Sequence, residues 1–425
     1  MDKVYFNKGI IDKADPRSKY LAVFYVLFVI SAELGLSYMY CLLATGLFFA
    51  YNLVRSRWPR LYTSDKLFVL MFLVMVANIR PETSRSLTYW LYWMIGLGFA
   101  VFYTRSSTNM KPLMIVWLIL SLYAVFIVLF SKADITLFTK TIGRFYTDSA
   151  KAYNAEHMRD GYSAAVGSSI SYTCYYLVGG IAAVLCLPLK KTVKIILGGG
   201  ILFALLITGR RGETLAALFA LLVYFYFSAS KNKRTKRILI IILGLAFAAF
   251  LVYAFWPVLK ELPAFARYSQ TVSNIKNDKD ISSSRFVIYE IAFNVFLEHP
   301  VFGVGWQCFY QFLPDYFDLL NVHNIYLQLL CETGVVGTAF ILAPFIVLLC
   351  KSIRLLNYYS IKQNDAVGKQ ICLFSVIMQI FFLLCGMLDN PLFKPIIGMF
   401  YSVMIICVNN AETSIIKGNE ALSAA

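Results

Sequence analysis

Residues 231–256 read KNKRTKRILIIILGLAFAAFLVYAFW, a basic run followed by nineteen residues without a charge. As a helix rising ~1.5 Å per residue, the uncharged part covers roughly the thickness of a bilayer's hydrocarbon core. Lys and Arg collect on the cytoplasmic side of membrane spans, so the run also sets direction: Lys231 to Arg237 inside, Trp256 outside.

The same pattern recurs along the chain. Of its 425 residues 59% are hydrophobic and 16% aromatic, with a mean hydropathy of +0.67; soluble domains are nearer half apolar. The expected fold is all-α: a polytopic membrane protein of about twelve transmembrane helices. The expected spans are 20–36, 38–54, 67–80, 89–104, 112–131, 164–187, 195–209, 213–229, 238–256, 324–350, 370–388 and 396–410. They leave no separate soluble domain, so residues 1–425 form a single integral membrane domain. The polar first 19 residues show no small-residue cleavage site, and no cleavable signal peptide is expected. With both termini cytoplasmic, most of the 39 Lys and Arg fall inside, including Arg55, Arg57, Arg60, Lys190, Lys191, Lys194, Lys351 and Arg354. The positive-inside rule therefore accounts for much of the +16 net charge, and no nucleic-acid partner is expected. Of the nine cysteines only Cys308 falls in a polar loop, so neither a disulfide framework nor a metal cluster is expected.

The basic residues left on the outer side carry the functional signal. They concentrate in two loops, 132–163 and 257–322, and in the turn Gly209-Arg210-Arg211-Gly212. The 257–322 loop is too long for a simple connection. It carries Arg267, then a polar stretch from Ser269 to Ser284, then RFVIYEIAFNVFLE over 285–298. Phe286, Tyr289, Phe293 and Phe296 recur at helical spacing, Ser282 to Ser284 offer caps, and His299-Pro300 ends the segment. An amphipathic helix along the outer interface is expected. Arg285 opens that helix, where the dipole prefers an anion; a bound anion or a lipid headgroup would each explain it. Arg210 and Arg211 sit where cytoplasmic anchoring cannot account for them. Planar guanidinium forks suit phosphate oxygens; pairing with Glu213 or lipid phosphate is the plainer reading. Sharing an outer face with Arg285 favours a ligand.

His323-Asn324 closes the loop at the start of an apolar helix that carries Glu332, Gly334 and Gly337. The two glycines suit close helix packing, and an intramembrane acid such as Glu332 or Glu33 is usually functional or paired. A neutral imidazole at this boundary can act as a general base toward a hydroxyl. The sequence has no HExxH, no second His at helical spacing and no nucleophile elbow, so no metal, cofactor or Ser-His-Asp chemistry is expected.

Three patches resemble the O-antigen ligase/polymerase family of bacterial envelope enzymes. Thr208-Gly209-Arg210-Arg211-Gly212 is similar to its TGSRG turn, with Arg210 in place of the serine. Arg285 through Gly305 resembles its R-helix-HPxxGxG segment, and His323-Asn324 with Gly334 and Gly337 its HN-x9-GxxG element. The resemblance implies a GT-C-like, metal-independent, inverting glycosyltransferase in the bacterial inner membrane. The donor it implies is an undecaprenyl-diphosphate-linked glycan; the acceptor is a sugar hydroxyl at the outer face. Arg211 and Arg285 would neutralise the diphosphate and His323 would activate the acceptor, with Arg210, Arg267 and Asn324 as substrate contacts. A polymerase would use a lipid-linked repeat unit as acceptor and a chain-length regulator protein as partner; a ligase would use lipid A-core. The compact loops, without added surface for a core oligosaccharide, favour the polymerase. A transporter of lipid-linked oligosaccharide is the rival class, and would need charge through the membrane interior.

Overall fold

The computed structural model describes residues 61–80, 93–101, 110–167, 169–229, 233–260, 265–277, 285–314, 321–363 and 366–423. The expected spans 20–36 and 38–54, with Glu33, lie outside them. Among the described residues all regular structure is helical. In chain order the helices are α1 (Thr63–Ala77), α2 (93–101), α3 (Lys111–Ala133), α4 (Ile135–Lys140), α5 (Asp148–Arg159), α6 (Ile170–Cys186) and α7 (Lys191–Ile207). There follow α8 (Arg211–Ser228), α9 (Arg234–Leu259), α10 (Ala266–Lys276), α11 (Arg285–Glu298), α12 (Ile325–Tyr358), α13 (Ala366–Gly386) and α14 (Pro395–Ser423). Among the described residues five are long and apolar enough to cross a membrane: α3, α9, α12 with the turn to Ile361, α13, and the Ile396–Ile416 part of α14. The protein is a helical polytopic membrane protein.

α6 is the centre of the bundle. It is apolar on every side and almost wholly buried, packed on α3, α7 and α13. Gly179 and Gly180 let α3 close on it: a Cβ at either would lie 2.0 Å from Trp117 or Ser121. Trp93, Phe345, Phe382 and Tyr401 form a second aromatic knot joining α2, α12, α13 and α14. α9 differs from both, with no buried residue and contact chiefly with α8. Its apolar surface suits lipid.

The expected span at 164–187 begins later, at Ile170, because the chain before it is fastened sideways. The N–H groups of Ser163, Ala164, Ala165 and Val166 donate to the Thr208 carbonyl, Ser131 Oγ, Asn154 Oδ1 and Thr173 Oγ1. The 132–163 loop thereby becomes a cap, built of α4 and α5, over one end of the bundle. That end also carries the 208–212 turn, the start of α11, the start of α12 and the α13–α14 connection.

Gly334 does not serve as a helix-packing surface. Its φ of 62° and ψ of −172° break α12 into two helical pieces. The turn after α11 enters the break: the N–H groups of Val304 and Gly305 donate to the carbonyls of Cys331 and Glu332 at 3.0 and 2.8 Å. In return the N–H groups of Val335 and Val336 donate to Pro300 and Val301 at 2.9 and 3.3 Å. Glu332 is paired as well, accepting from the N–H groups of Gln307 (2.9 Å) and Phe309 (3.4 Å) and from Gln328 Nε2 (3.0 Å). Buried polar groups must be satisfied, and this carboxyl group is satisfied by loop backbone and Gln328. The 285–305 segment is thus locked onto α12.

α11 also packs by a different face from the aromatic stripe. Ile288, Ala292 and Val295 are buried against Phe309, Val322 and Cys331, whereas Phe286 and Phe293 stay exposed. Tyr289 and Phe296 flank this cluster partly buried, so only half of the aromatic stripe faces outward.

Candidate active site

The connection between α13 and α14, Met387 to Lys394, organises the site. Asp389 is its centre. Lys394 Nζ donates to Asp389 Oδ2, and Ser171 Oγ, next to the start of α6, donates to the same oxygen at 2.9 Å. Arg210 Nη2 lies 3.6 Å from Oδ2, and His323 Nδ1 lies 3.6 Å from Oδ1, which also accepts the N–H of Asn390 at 2.8 Å. Burial alone would raise the pKa of Asp389, but Lys394, His323 and Arg210 outweigh it and hold the carboxyl well below the usual carboxylate range. Asp389 is therefore a carboxylate at neutral pH.

One residue earlier, the Leu388 carbonyl accepts Arg285 Nη1 at 3.0 Å. The Leu388 side chain fills the space beside Gly212, where a Cβ would come within 2.8 Å of it. Arg285 and the 210–212 turn, 75 residues apart in sequence if counted from Arg210, so meet on Leu388 and Asp389.

The expected residues fare differently. Arg210 is engaged internally: its Nη2 and Nε (2.7 Å) donate to Glu213 Oε1, and its Nη2 also reaches Ser171 Oγ at 3.1 Å. Arg211, first residue of α8, has no hydrogen bond or ion pair among the described residues and is partly exposed. Asn324 caps α12, its Oδ1 accepting the N–H groups of Tyr326 (3.1 Å) and Leu327 (3.2 Å). His323 precedes the cap with φ 55°, a left-handed conformation that costs a non-glycine residue about 1–2 kcal/mol and is kept only where neighbours hold it. The Tyr289 hydroxyl, on α11, donates to its carbonyl at 3.4 Å. The side chain of Arg267 lies outside the described residues.

Gln328, one turn into α12, joins the pieces. Its Oε1 accepts from the Val322 N–H (3.2 Å) and from Asn390 Nδ2; its Nε2 donates to Glu332 and to Asn321 Oδ1 (3.4 Å). One buried amide thus links the segment before His323, the residue after Asp389 and the break in α12. Tyr153 on α5 closes the other side; its hydroxyl accepts the Ile170 N–H at 3.2 Å, near Arg210 and Asp389.

α6, α8, α11, α12 and α14 all begin at this end. Helix N-termini carry partial positive charge, but α3, α7 and α13 finish at the same end and offset part of it.

The 196–342 segment, which spans α7 to the first part of α12 and contains Arg210, Arg211, Arg285 and His323, matches the family model described as O-antigen ligase. The match covers about a third of the chain and supports the likeness to the O-antigen ligase/polymerase family. The family's activity is glycan transfer in a membrane, with lipid-linked glycan substrates. No curated protein matches the chain. Ser171, Asp389 and Lys394 lie outside the matched segment, contributed by α6 before it and the α13–α14 connection after it. Sequence reading did not single them out. A visible signal existed: Asp389 and Lys394 are the charges in a short connection between two apolar spans.

Proposed function

We propose that the protein is a metal-independent, inverting glycosyltransferase. It moves a glycan from an undecaprenyl-diphosphate-linked donor to the hydroxyl of a lipid-linked repeat unit, as a surface-polysaccharide polymerase. The observation that carries this reading is the meeting of His323, Arg210 and Lys394 on Asp389, with Arg285 and the 210–212 turn on Leu388 beside it.

Asp389 faces Nδ1 of His323 and holds a proton on that nitrogen, which leaves Nε2 unprotonated toward the substrate. Nε2 takes the acceptor hydroxyl's proton as the oxygen attacks the anomeric carbon. The bond from that carbon to the diphosphate oxygen breaks on the opposite side, so the configuration inverts. The leaving diphosphate carries away the electron pair, and Arg211 and Arg285 stabilise its growing charge. Arg210 and Lys394 are positioning residues, since Glu213 and Asp389 already hold them. The donor is a diphosphate diester with one charge on each phosphate. The cations Arg210, Arg211, Arg285 and Lys394 exceed the carboxylates Glu213 and Asp389 by two, a matching complement.

Transfer to lipid A-core, as a ligase, uses the same chemistry with another acceptor. Transport is less well supported, because Glu332, the acid deepest in α12, is taken up by loop N–H groups. The charge distribution supports an outward orientation of this end, and the bacterial inner membrane is what the family likeness implies. The test is transfer by purified protein from an undecaprenyl-diphosphate-linked repeat unit, with and without lipid A-core, wild type against His323→Ala and Arg211→Ala. A lengthening lipid-linked ladder lost in both variants is expected. Glycan on lipid A-core would replace polymerase by ligase, and full activity in His323→Ala would overturn the mechanism.

A further inference from the structure

We propose that the end of the bundle opposite Asp389 holds a second anion site, formed by Arg234, Arg237 and Lys369, that binds the headgroup of an anionic phospholipid. The three side chains, from α9 and α13, surround the last turn of α8. Arg237 Nη1 donates to the Phe225 carbonyl at 3.0 Å and to Ser228 Oγ at 3.3 Å, and Lys369 Nζ donates to the Ser228 carbonyl at 2.9 Å. Arg234 Nη2 donates to Asn357 Oδ1 at 2.8 Å. Its guanidinium stands over the rings of Phe227 and Tyr226, with centroids 5.0 and 5.5 Å away, and that of Arg237 stands 4.1 Å over Phe225.

The partners of these cations are all neutral. Among the described residues none of the three has a carboxylate partner, and Arg234 and Arg237 are close enough to Lys369 for their charges to act on it. The α8 C-terminus offsets about half a charge, which leaves most of the repulsion uncompensated. Arg234 Nε is buried and, among the described residues, donates to nothing. With Nη2 spent on Asn357, the guanidinium keeps its charge and its Nη1 donors for a phosphate oxygen. By contrast Lys351, elsewhere at this end, has its own carboxylate in Glu412 at 2.6 Å.

The surroundings choose a lipid over a free ion. Arg234 and Arg237 open α9, whose next residues, Ile238, Leu239, Ile240, Ile242 and Leu243, are all exposed and apolar. A phosphodiester among the three cations would sit at headgroup level, with its acyl chains along that surface. The site is independent of the transferase reading and draws on none of its residues.

The experiment is native mass spectrometry of the full chain released from nanodiscs of phosphatidylglycerol or of phosphatidylcholine. Wild type is expected to retain phosphatidylglycerol and not phosphatidylcholine. Each cation removed weakens retention about fivefold, so R234Q/R237Q/K369Q loses it, while R234K/R237K/K369R keeps most of it. If the triple glutamine variant does not fold, R234Q alone carries the test with a single fivefold loss. Equal retention of the two lipids by wild type overturns the proposal, as does unchanged retention in R234Q. Displacement of the lipid by inorganic phosphate at equal concentration would overturn the choice of a lipid.

Discussion

Replacing Asp389 by Asn keeps the shape of the side chain and removes its charge, and the structure says what each of its neighbours then loses. At the 3.6 Å between Arg210 and Asp389, unit charges attract by about 4–5 kcal/mol at an effective dielectric of ~20, before desolvation is subtracted. Leaving buried cations without their carboxylate costs about 3–5 kcal/mol in general. Here Glu213 still holds Arg210, and Ser171 and the Asn390 N–H still have an oxygen to share. A loss near 2–3 kcal/mol is expected, short of unfolding. Transfer should fall further. An imidazole without its orienting carboxylate loses the tautomer that presents a basic Nε2, and positioned general-base catalysis contributes about 10²–10⁴-fold. Donor binding should move the other way, because the cluster gains a net positive charge. The assay pairs the initial rate of glycan transfer with the directly measured donor Kd. The expected split is a rate at least about 100-fold lower with donor affinity unchanged or tighter. A rate within a few-fold of wild type would refute the role of Asp389, and a parallel loss of donor binding would reduce it to a structural one.

Acid stability follows from the same carboxyl. Its folded-state pKa is depressed, so its contribution is fully present above the unfolded value of ~3.9 and is lost as pH falls through the folded one. The difference in thermal midpoint between wild type and Asp389→Asn should stay constant from neutral pH to about pH 4 and shrink below it; closure of the gap above pH 5 would contradict this. Gly334→Ala should cost more than ~3 kcal/mol, combining a glycine-only backbone region with a Cβ 2.2 Å from the Val301 carbonyl oxygen. Thermal unfolding in detergent checks it, and a midpoint within two or three degrees of wild type would mean that the break in α12 is not needed.

Sequence by itself determined what depends on neighbours along the chain. Runs such as 238–256 specify membrane helices because only a helix satisfies its own backbone in lipid. The charges left on the wrong side of the spans pointed to the 208–212 turn, Arg285 and His323, since their types and spacing are local. Several helix limits were legible to within a few residues, but the helices expected at 324–350 and 396–410 run on to Tyr358 and Ser423, and side-chain bonds seize the backbone at 163–166. Tertiary structure alone decided which polar groups meet. Arg210 and Arg211 are adjacent in sequence, yet one faces Glu213 and Asp389 while the other has no partner among the described residues. Gly334 reads as a packing surface until the 299–305 turn is seen inside the helix break. Asp389 reads as a connection residue until α6, α8 and α12 bring Ser171, Arg210 and His323 against it. Helix periodicity fixes the face on which a side chain stands, whereas the charge it meets there is set by how the helices pack.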